Sequence, residues 1–363
     1  MVVEDVRTAF YLSLLSLTAV CPATGQSGYA GSGACAGCHT GIYKSQQSGN
    51  HAHSLRPPGE IEELTRQLPF QYLDRPSQAH LTLSKGADGQ LRLEAIKESE
   101  HAVLPLRWAF GSGDKGITMV GLDASGKFIE GRLSWYAAEG TYSLTTGATR
   151  SNPQTALESL GRTLTSNEAR ECFSCHTTAY TAGQSGPAVP EMGIHCERCH
   201  GPGLEHSLLT AGPNAPTRGQ DRKISNPGRL DAFAQVEMCG ACHGRPPRDT
   251  DLAAIEFIER TSATARFPSQ RLVLSHCYNE SAEGIKCTTC HDPHSNLAAQ
   301  RSQRDRACIG CHTDQVRPKA RVCPTATSNC VSCHMPKQRV MLHSEFTDHW
   351  IRVTSAKAPG GLH

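Results

Sequence analysis

The stretch from about 66 to 150 reads as a small sheet, with apolar and polar positions alternating around Leu81 to Leu93, the period of a half-buried strand. Leu81, Leu83, Leu91 and Leu93 bracket Lys85-Gly86-Ala87-Asp88-Gly89, which predicts a hairpin. Ile117 to Val120 and Lys127 to Tyr136 bracket Asp123-Ala124-Ser125-Gly126 and predict a second, with a further strand over Tyr142 to Thr145. Elsewhere the pattern is sparser. Glu168 to Phe173 and Asp231 to Ala241 read as short helices, and Thr210 to Arg229 as a Pro/Gly/Asn-rich loop. Ala9 to Val20 is an apolar run too short to span a bilayer. It suits an export signal cut after Gly25, with Ala23 and Gly25 at the recognition positions, although Glu4 and Asp5 outnumber Arg7 before it. The competing reading is a buried N-terminal helix.

Composition explains the sparseness. Hydrophobic residues make up 38% of the 363 residues and aromatic residues 6%, too few for apolar side chains alone to fill a large core. The 33 glycines and 21 prolines point to turn and coil. A formal charge of +2 gives no reason to expect nucleic-acid binding, and no apolar run is long enough for a transmembrane helix. The outliers are 17 cysteines and 18 histidines, more cysteine than a reducing-compartment enzyme of this size usually carries.

Their spacing assigns them. The pattern C-x-x-C-H occurs at Cys35-Cys38-His39, Cys172-Cys175-His176, Cys196-Cys199-His200, Cys239-Cys242-His243, Cys287-Cys290-His291, Cys308-Cys311-His312 and Cys330-Cys333-His334. Shuffling the same composition would give roughly 0.04 copies. Two thiols three positions apart add to the two vinyl groups of one haem, and the adjacent histidine reaches the iron. Zinc knuckles combine two C-x-x-C half-sites and need no histidine after the second cysteine, and a disulfide framework would not repeat that histidine. Seven c-type haems are therefore expected. Their propionates would add about −14, moving the chain to roughly −12. Cys21 leaves with the export segment, and Cys277 and Cys323 remain as a candidate disulfide or as two unrelated thiols.

Eleven histidines lie outside the motifs. His294, three residues after His291, cannot easily fold onto the far side of its own haem and is expected to reach a neighbouring iron. His206 follows a Gly-Pro-Gly bend after the third motif, His51 (with His53 as its rival) follows the first, and His343 and His349 follow the last. These five are the candidate second ligands. His195 and His276 are open between ligand and packing roles, His80 and His101 read as surface residues, and His363 is terminal. Met192, Met238, Met335 and Met341 read as packing or as the sulfur ligand of a His/Met haem, and Trp108, Trp135 and Tyr136 as packing unless they cover a haem face. Five second ligands for seven irons leave up to two irons open.

The expected organisation is an export signal over 1–25, a monohaem segment over 26–65, a β-rich haem-free segment over 66–165 and a hexahaem region over 166–363. The fold class expected is mainly α and coil, organised around covalent haems, with a small antiparallel β insertion between the first two motifs.

The segments Cys35-Ala36-Gly37-Cys38-His39, Gly193-Ile194-His195-Cys196-Glu197-Arg198-Cys199-His200-Gly201-Pro202-Gly203, Cys287-Thr288-Thr289-Cys290-His291-Asp292-Pro293-His294, Cys330-Val331-Ser332-Cys333-His334-Met335-Pro336 and Phe346-Thr347-Asp348-His349 resemble those of multihaem c-type cytochromes related to the tetrahaem cytochrome of ammonia oxidisers. The resemblance covers about 30–60 and 166–352, and Phe110-Gly111-Ser112-Gly113 and Leu133-Ser134-Trp135-Tyr136 resemble segments of the larger relatives. It implies stacked and T-shaped haem pairs, electron relay, and ligand roles for His51, His206, His294, His343 and His349. It also implies that one five-coordinate haem is a possible arrangement, and some relatives are enzymes on nitrogen or sulfur oxyanions. The C-x-x-C-K variant of pentahaem nitrite reductases is absent. The expected function is electron relay between redox proteins or terminal electron acceptors in the periplasm or outside the cell, without a transmembrane segment but compatible with peripheral or outer-membrane association. The alternatives are an oxidoreductase acting on a small nitrogen or sulfur compound at one open haem, and a filament-forming extracellular conductor.

Overall fold

A computed structural model describes residues 28–180, 192–212, 223–281, 284–296, 300, 304–312, 323, 326 and 328–353. The export segment 1–25, with Cys21, and His363 lie outside the described residues. The strands are β1 (Leu55–Arg56), β2 (Phe70–Asp74), β3 (Ala79–Lys85), β4 (Leu91–Lys97), β5 (Glu100–Phe110), β6 (Gly116–Leu122), β7 (Phe128–Tyr136), β8 (Thr141–Leu144) and β9 (Gly161–Thr163). They form one nine-stranded antiparallel sheet, a meander from β2 to β8 with β1 paired to β5 and β9 to β7.

Both hairpins read from the alternation are present, joining β3 to β4 and β6 to β7. The small insertion in a mainly helical fold is not. The sheet is large and nearly barrel-shaped, and strand makes up 24% of the structure beside 38% helix. β1 and β9 are two and three residues long, too short for any periodicity to register. β5 runs for eleven residues through Pro105 and begins with exposed Glu100 and His101, so it lacks a clean alternation. Register shifts after Leu106 and Thr118 add twist and curl the sheet.

The inward face is a leucine-rich core that includes Leu81, Leu83, Leu93, Leu104, Leu106, Met119, Leu133 and Trp135. Inside it the Arg132 guanidinium meets the Asp74 carboxylate at 2.6 Å, both below 3% exposure. A second cluster lies between the sheet and the helix Ser166–His176. Phe173, 1% exposed, sits among Trp108, Phe110, Phe128 and Tyr180 at ring separations of 5.2–5.5 Å. That helix starts with a reciprocal cap between Thr165 and Glu168. Aromatic packing thus fixes the second motif to the sheet.

Beyond residue 200 the described chain consists of short helices and one hairpin, β10 (Lys337–Met341) with β11 (Ser344–Thr347). Only Val236, Ile258, Ala265 and Leu272 are buried hydrophobic residues among the described residues there. The last segment is pinned by a buried ion pair. Arg271 donates to both oxygens of Asp348 at 2.8 and 2.6 Å, and Arg352 adds a third contact at 2.9 Å.

Candidate haem-attachment sites

Helical backbone places residues three apart on one side of a turn, so each C-x-x-C points two thiols the same way with the histidine next to them. The second motif ends the helix Ser166–His176, the third forms Cys196–His200, the fourth ends Ala232–His243, and the seventh forms Cys330–His334. The fifth cysteines lie on Cys287–Cys290, the sixth motif starts on Arg304–Ile309, and Cys35 lies on Ser32–Ala36.

Three motif histidines are held by the backbone. The Nδ1 atoms of His176, His200 and His334 pair with the carbonyls of Ser54 (2.8 Å), Ser225 (2.8 Å) and Arg352 (3.0 Å). A donating Nδ1–H fixes the tautomer and leaves Nε2 as the ligating atom.

Three other rings face motif histidines. His51 lies 6.0 Å from His243, His294 lies 6.2 Å from His200, and His349 lies 6.2 Å from His291, centre to centre. An iron-bridged pair would need two metal–imidazole bonds of about 2 Å and two nitrogen-to-centre spans of about 1.1 Å, or about 6.2 Å. The facing rings are anchored through Nδ1, His51 to the Pro293 carbonyl, His294 to Asp292 and His349 to the Thr347 carbonyl. Burial pushes His243 and His349 down to about 4, with neighbouring histidines adding to it, so both rings stay neutral and able to ligate. Burial likewise pushes Cys35 and Cys199 up to about 11. The buried Nδ1 of His291 finds no hydrogen-bond partner among the described residues. Paired thiols, neutral imidazoles and gaps of this width fit haem.

The remaining candidates are placed differently. His343 lies on Tyr136 at 4.3 Å and meets the Glu139 carboxylate at 2.7 Å, at a cleft beside β10 and β11. His206 is on the helix Leu204–Thr210. Both ring nitrogens of His195 are engaged, by Gln47 and by the Met192 carbonyl, which assigns it to packing. His80 and His101 are exposed on the sheet, and His276 is exposed at the start of a short helix. Trp135 belongs to the sheet core, and Trp108 packs on Phe173.

The motifs lie against one another. Cys35 neighbours Cys196, Cys175 neighbours Cys242, Cys239 neighbours Cys287 and Cys308 neighbours Cys330. Cys277 sits near Cys290 and Cys311, between the fifth and sixth motifs. Two groups that hold this arrangement escaped the sequence reading. One is the Arg271–Asp348 pair, whose only signal was an acidic residue beside His349. The other is Glu197, an acid inside the third motif that is 3% exposed.

Residues 134–201 match the family model described as cytochrome c554 and c-prime, and residues 280–317 match that of the doubled CXXCH motif. These spans contain the second, third, fifth and sixth motifs. The chain is a multihaem c-type cytochrome. Its fold is similar to the crystal structure of the outer cell wall cytochrome OcwA, with a TM-score of 0.51 and 15% identity over 90% of this chain and 80% of that one. No curated protein sequence matches the cytochrome. Among its described residues no helix is long and apolar enough to cross a membrane.

Proposed function

We propose that this cytochrome carries seven haems, is exported, and relays electrons between redox partners outside the cytoplasm. The observation that carries the reading is the set of three facing histidine pairs, each joining a motif histidine to one from another segment. In the proposed assignment His51 opposes His243, His294 opposes His200 and His349 opposes His291, while His206 and His343 serve two of the remaining irons. Haem bound this way supplies a one-electron centre with no open site and little rearrangement on reduction. The protein's part is to hold His51, His200, His294 and His349 by Nδ1 and to keep the buried His243 and His349 rings neutral. The neighbouring cysteines of the first and third, second and fourth, fourth and fifth, and sixth and seventh motifs support close spacing between centres. Export is supported by the density of covalent haem motifs and by the apolar run over Ala9–Val20.

A second reading, an oxidoreductase acting on a small nitrogen or sulfur compound, draws on the second motif. The His176 ring packs edge-on to Phe110 at 5.3 Å, and no second histidine ring is among its described contacts. Haem content by intact mass and the spin state of the oxidised protein test both. Seven haems with wholly low-spin iron supports relay, and a high-spin fraction of one iron in seven supports the second reading. Fewer haems than motifs refutes the count.

A further inference from the structure

Glu197 stands between the two cysteines of the third motif, yet its carboxylate is turned away from solvent. It accepts three backbone N–H groups, from Ala30 and Gly31 at 2.8 Å each and from Gly203 at 2.7 Å. The first two belong to the segment that leads directly into the first motif, more than 160 residues away in the chain. The third belongs to the Gly201-Pro202-Gly203 bend that follows the third. The geometry at the bend is close. A Cβ on Gly203 would stand 3.2 Å from the Glu197 oxygen, and Gly31 has φ of +78°, a conformation open to glycine. The Leu204 N–H reaches the Gly28 carbonyl at 2.9 Å and closes the same junction from the other side. At that junction the Cys35 sulfur lies against Cys196.

Among the described residues the carboxylate's partners are backbone donors alone, with no arginine or lysine paired to it. A charge in this position does two things. It fastens the first motif to the third, because charge-assisted bonds to backbone N–H are the strong kind. It also favours the more positive, oxidised state of any iron held on either motif, because Coulomb interactions are weakly screened where water is excluded.

We propose that Glu197 is a positioning residue that clasps the first and third haem-attachment motifs together and lowers the reduction potentials of the pair they carry. The inference rests on the reading of both motifs as haem sites. The test is Glu197→Gln, which keeps the shape and removes the charge, with Glu197→Asp as the variant that keeps the charge on a shorter arm. Haem occupancy at Cys35/Cys38 and Cys196/Cys199 is measured by peptide mass spectrometry in the wild type and both variants. Potentials are measured by spectroelectrochemical titration of the haem-loaded protein. The expected result is full occupancy in Glu197→Gln with two components of the titration moved to higher potential and the others unmoved, and a smaller shift in Glu197→Asp. A Glu197→Gln titration that superimposes on wild type at full occupancy overturns the inference while leaving the haem sites intact. Wild-type peptides without haem at either motif would instead sink the underlying reading. If Glu197→Gln loses haem at the first motif, the third motif decides: a component there that fails to move to higher potential in Glu197→Gln overturns the role of charge.

Discussion

Replacing Asp348 by Ala should release the C-terminal strap and open one iron. Asp348 is fully buried and takes two bonds from Arg271, one from Arg352 and one from the Trp350 N–H at 3.0 Å. The strap from Thr347 to Arg352 carries His349, which faces His291, and the carbonyl that holds His334. Removing the carboxylate strands the Arg271 guanidinium at 3% exposure without a counter-charge. Breaking a buried pair in this way costs about 3–5 kcal/mol. At about 1.4 kcal/mol per decade, that raises the released population by roughly 140- to 3,700-fold. Removing both partners, Asp348→Ala with Arg271→Met, should recover much of the loss, because no charge is then left unpaired. The assay is carbon monoxide binding to the reduced protein, with haem content measured in parallel. The expected result is one newly reactive haem in Asp348→Ala, fewer reactive sites in the double variant, and an unchanged haem count in both. An Asp348→Ala protein with wild-type carbon monoxide reactivity and an unchanged melting temperature would refute the strap as the device that holds His349.

Phe173→Ala should cost about 3–5 kcal/mol in denaturant unfolding, because the ring is the centre of the aromatic cluster that ties the second motif to the sheet. Gly111→Ala should destabilise by at least about 1–3 kcal/mol, since φ there is +118° and a Cβ would meet the Gly116 carbonyl oxygen at 2.3 Å; a melting curve like wild type would contradict it. Glu168 is held down to about 2 by the Thr165 N–H, then by Arg162 and the Thr165 hydroxyl. Its folded value lies below its unfolded one, so its contribution is present above the ordinary carboxyl range and lost as pH falls through about 2. Glu168→Gln should therefore lower the melting temperature at pH 7 and have little effect near pH 2, and an equal loss at both would contradict the assignment. Chain made without haem attachment should keep its sheet and lose the rest, so limited proteolysis should leave a core spanning about residues 50–180.

The legible part of the fold was the part that obeys alternation. Leu81 to Leu93 bury one face of a sheet, and that constraint is written in every second residue, whereas β7 is buried continuously from Gly131 to Tyr136 and its hairpin was legible from the Asp123-Ala124-Ser125-Gly126 turn. β1, β2, β5 and β9 were missed: β1 and β9 are two and three residues long, and adjacent apolar residues in β2 and β5, with Pro105 in β5, break the alternation. Leu55 enters the sheet only because it pairs with Phe110. The motifs were legible because covalent chemistry fixes their spacing. The facing histidines were legible as candidates but not as pairs, since His51 meets His243 through a fold that no local signal specifies. Sequence position alone could not separate His349, which faces a motif histidine, from His343, which packs on Tyr136.

The two parts of the chain are ordered by different means, and this bears on how the proposed ligand pairs work. The sheet closes its own core from neighbouring hairpins, so its contacts are mostly local. The segment beyond residue 200 has four buried apolar residues among those described and no comparable core. On the proposed pairing, its order comes from side chains that reach across long loops, from roughly 60 residues between His291 and His349 to roughly 190 between His51 and His243. Loop closure grows only with the logarithm of length, so the longest of these costs about 1 kcal/mol more than the shortest. Distance in sequence is therefore a small penalty, and local devices decide which rings meet. The Arg271–Asp348 clamp, the Pro293 carbonyl under His51 and the Glu197 junction each fix a segment before any iron is engaged. Substitution of Arg271, which touches no proposed ligand, should then disturb the His291–His349 pair nearly as much as loss of His349 itself.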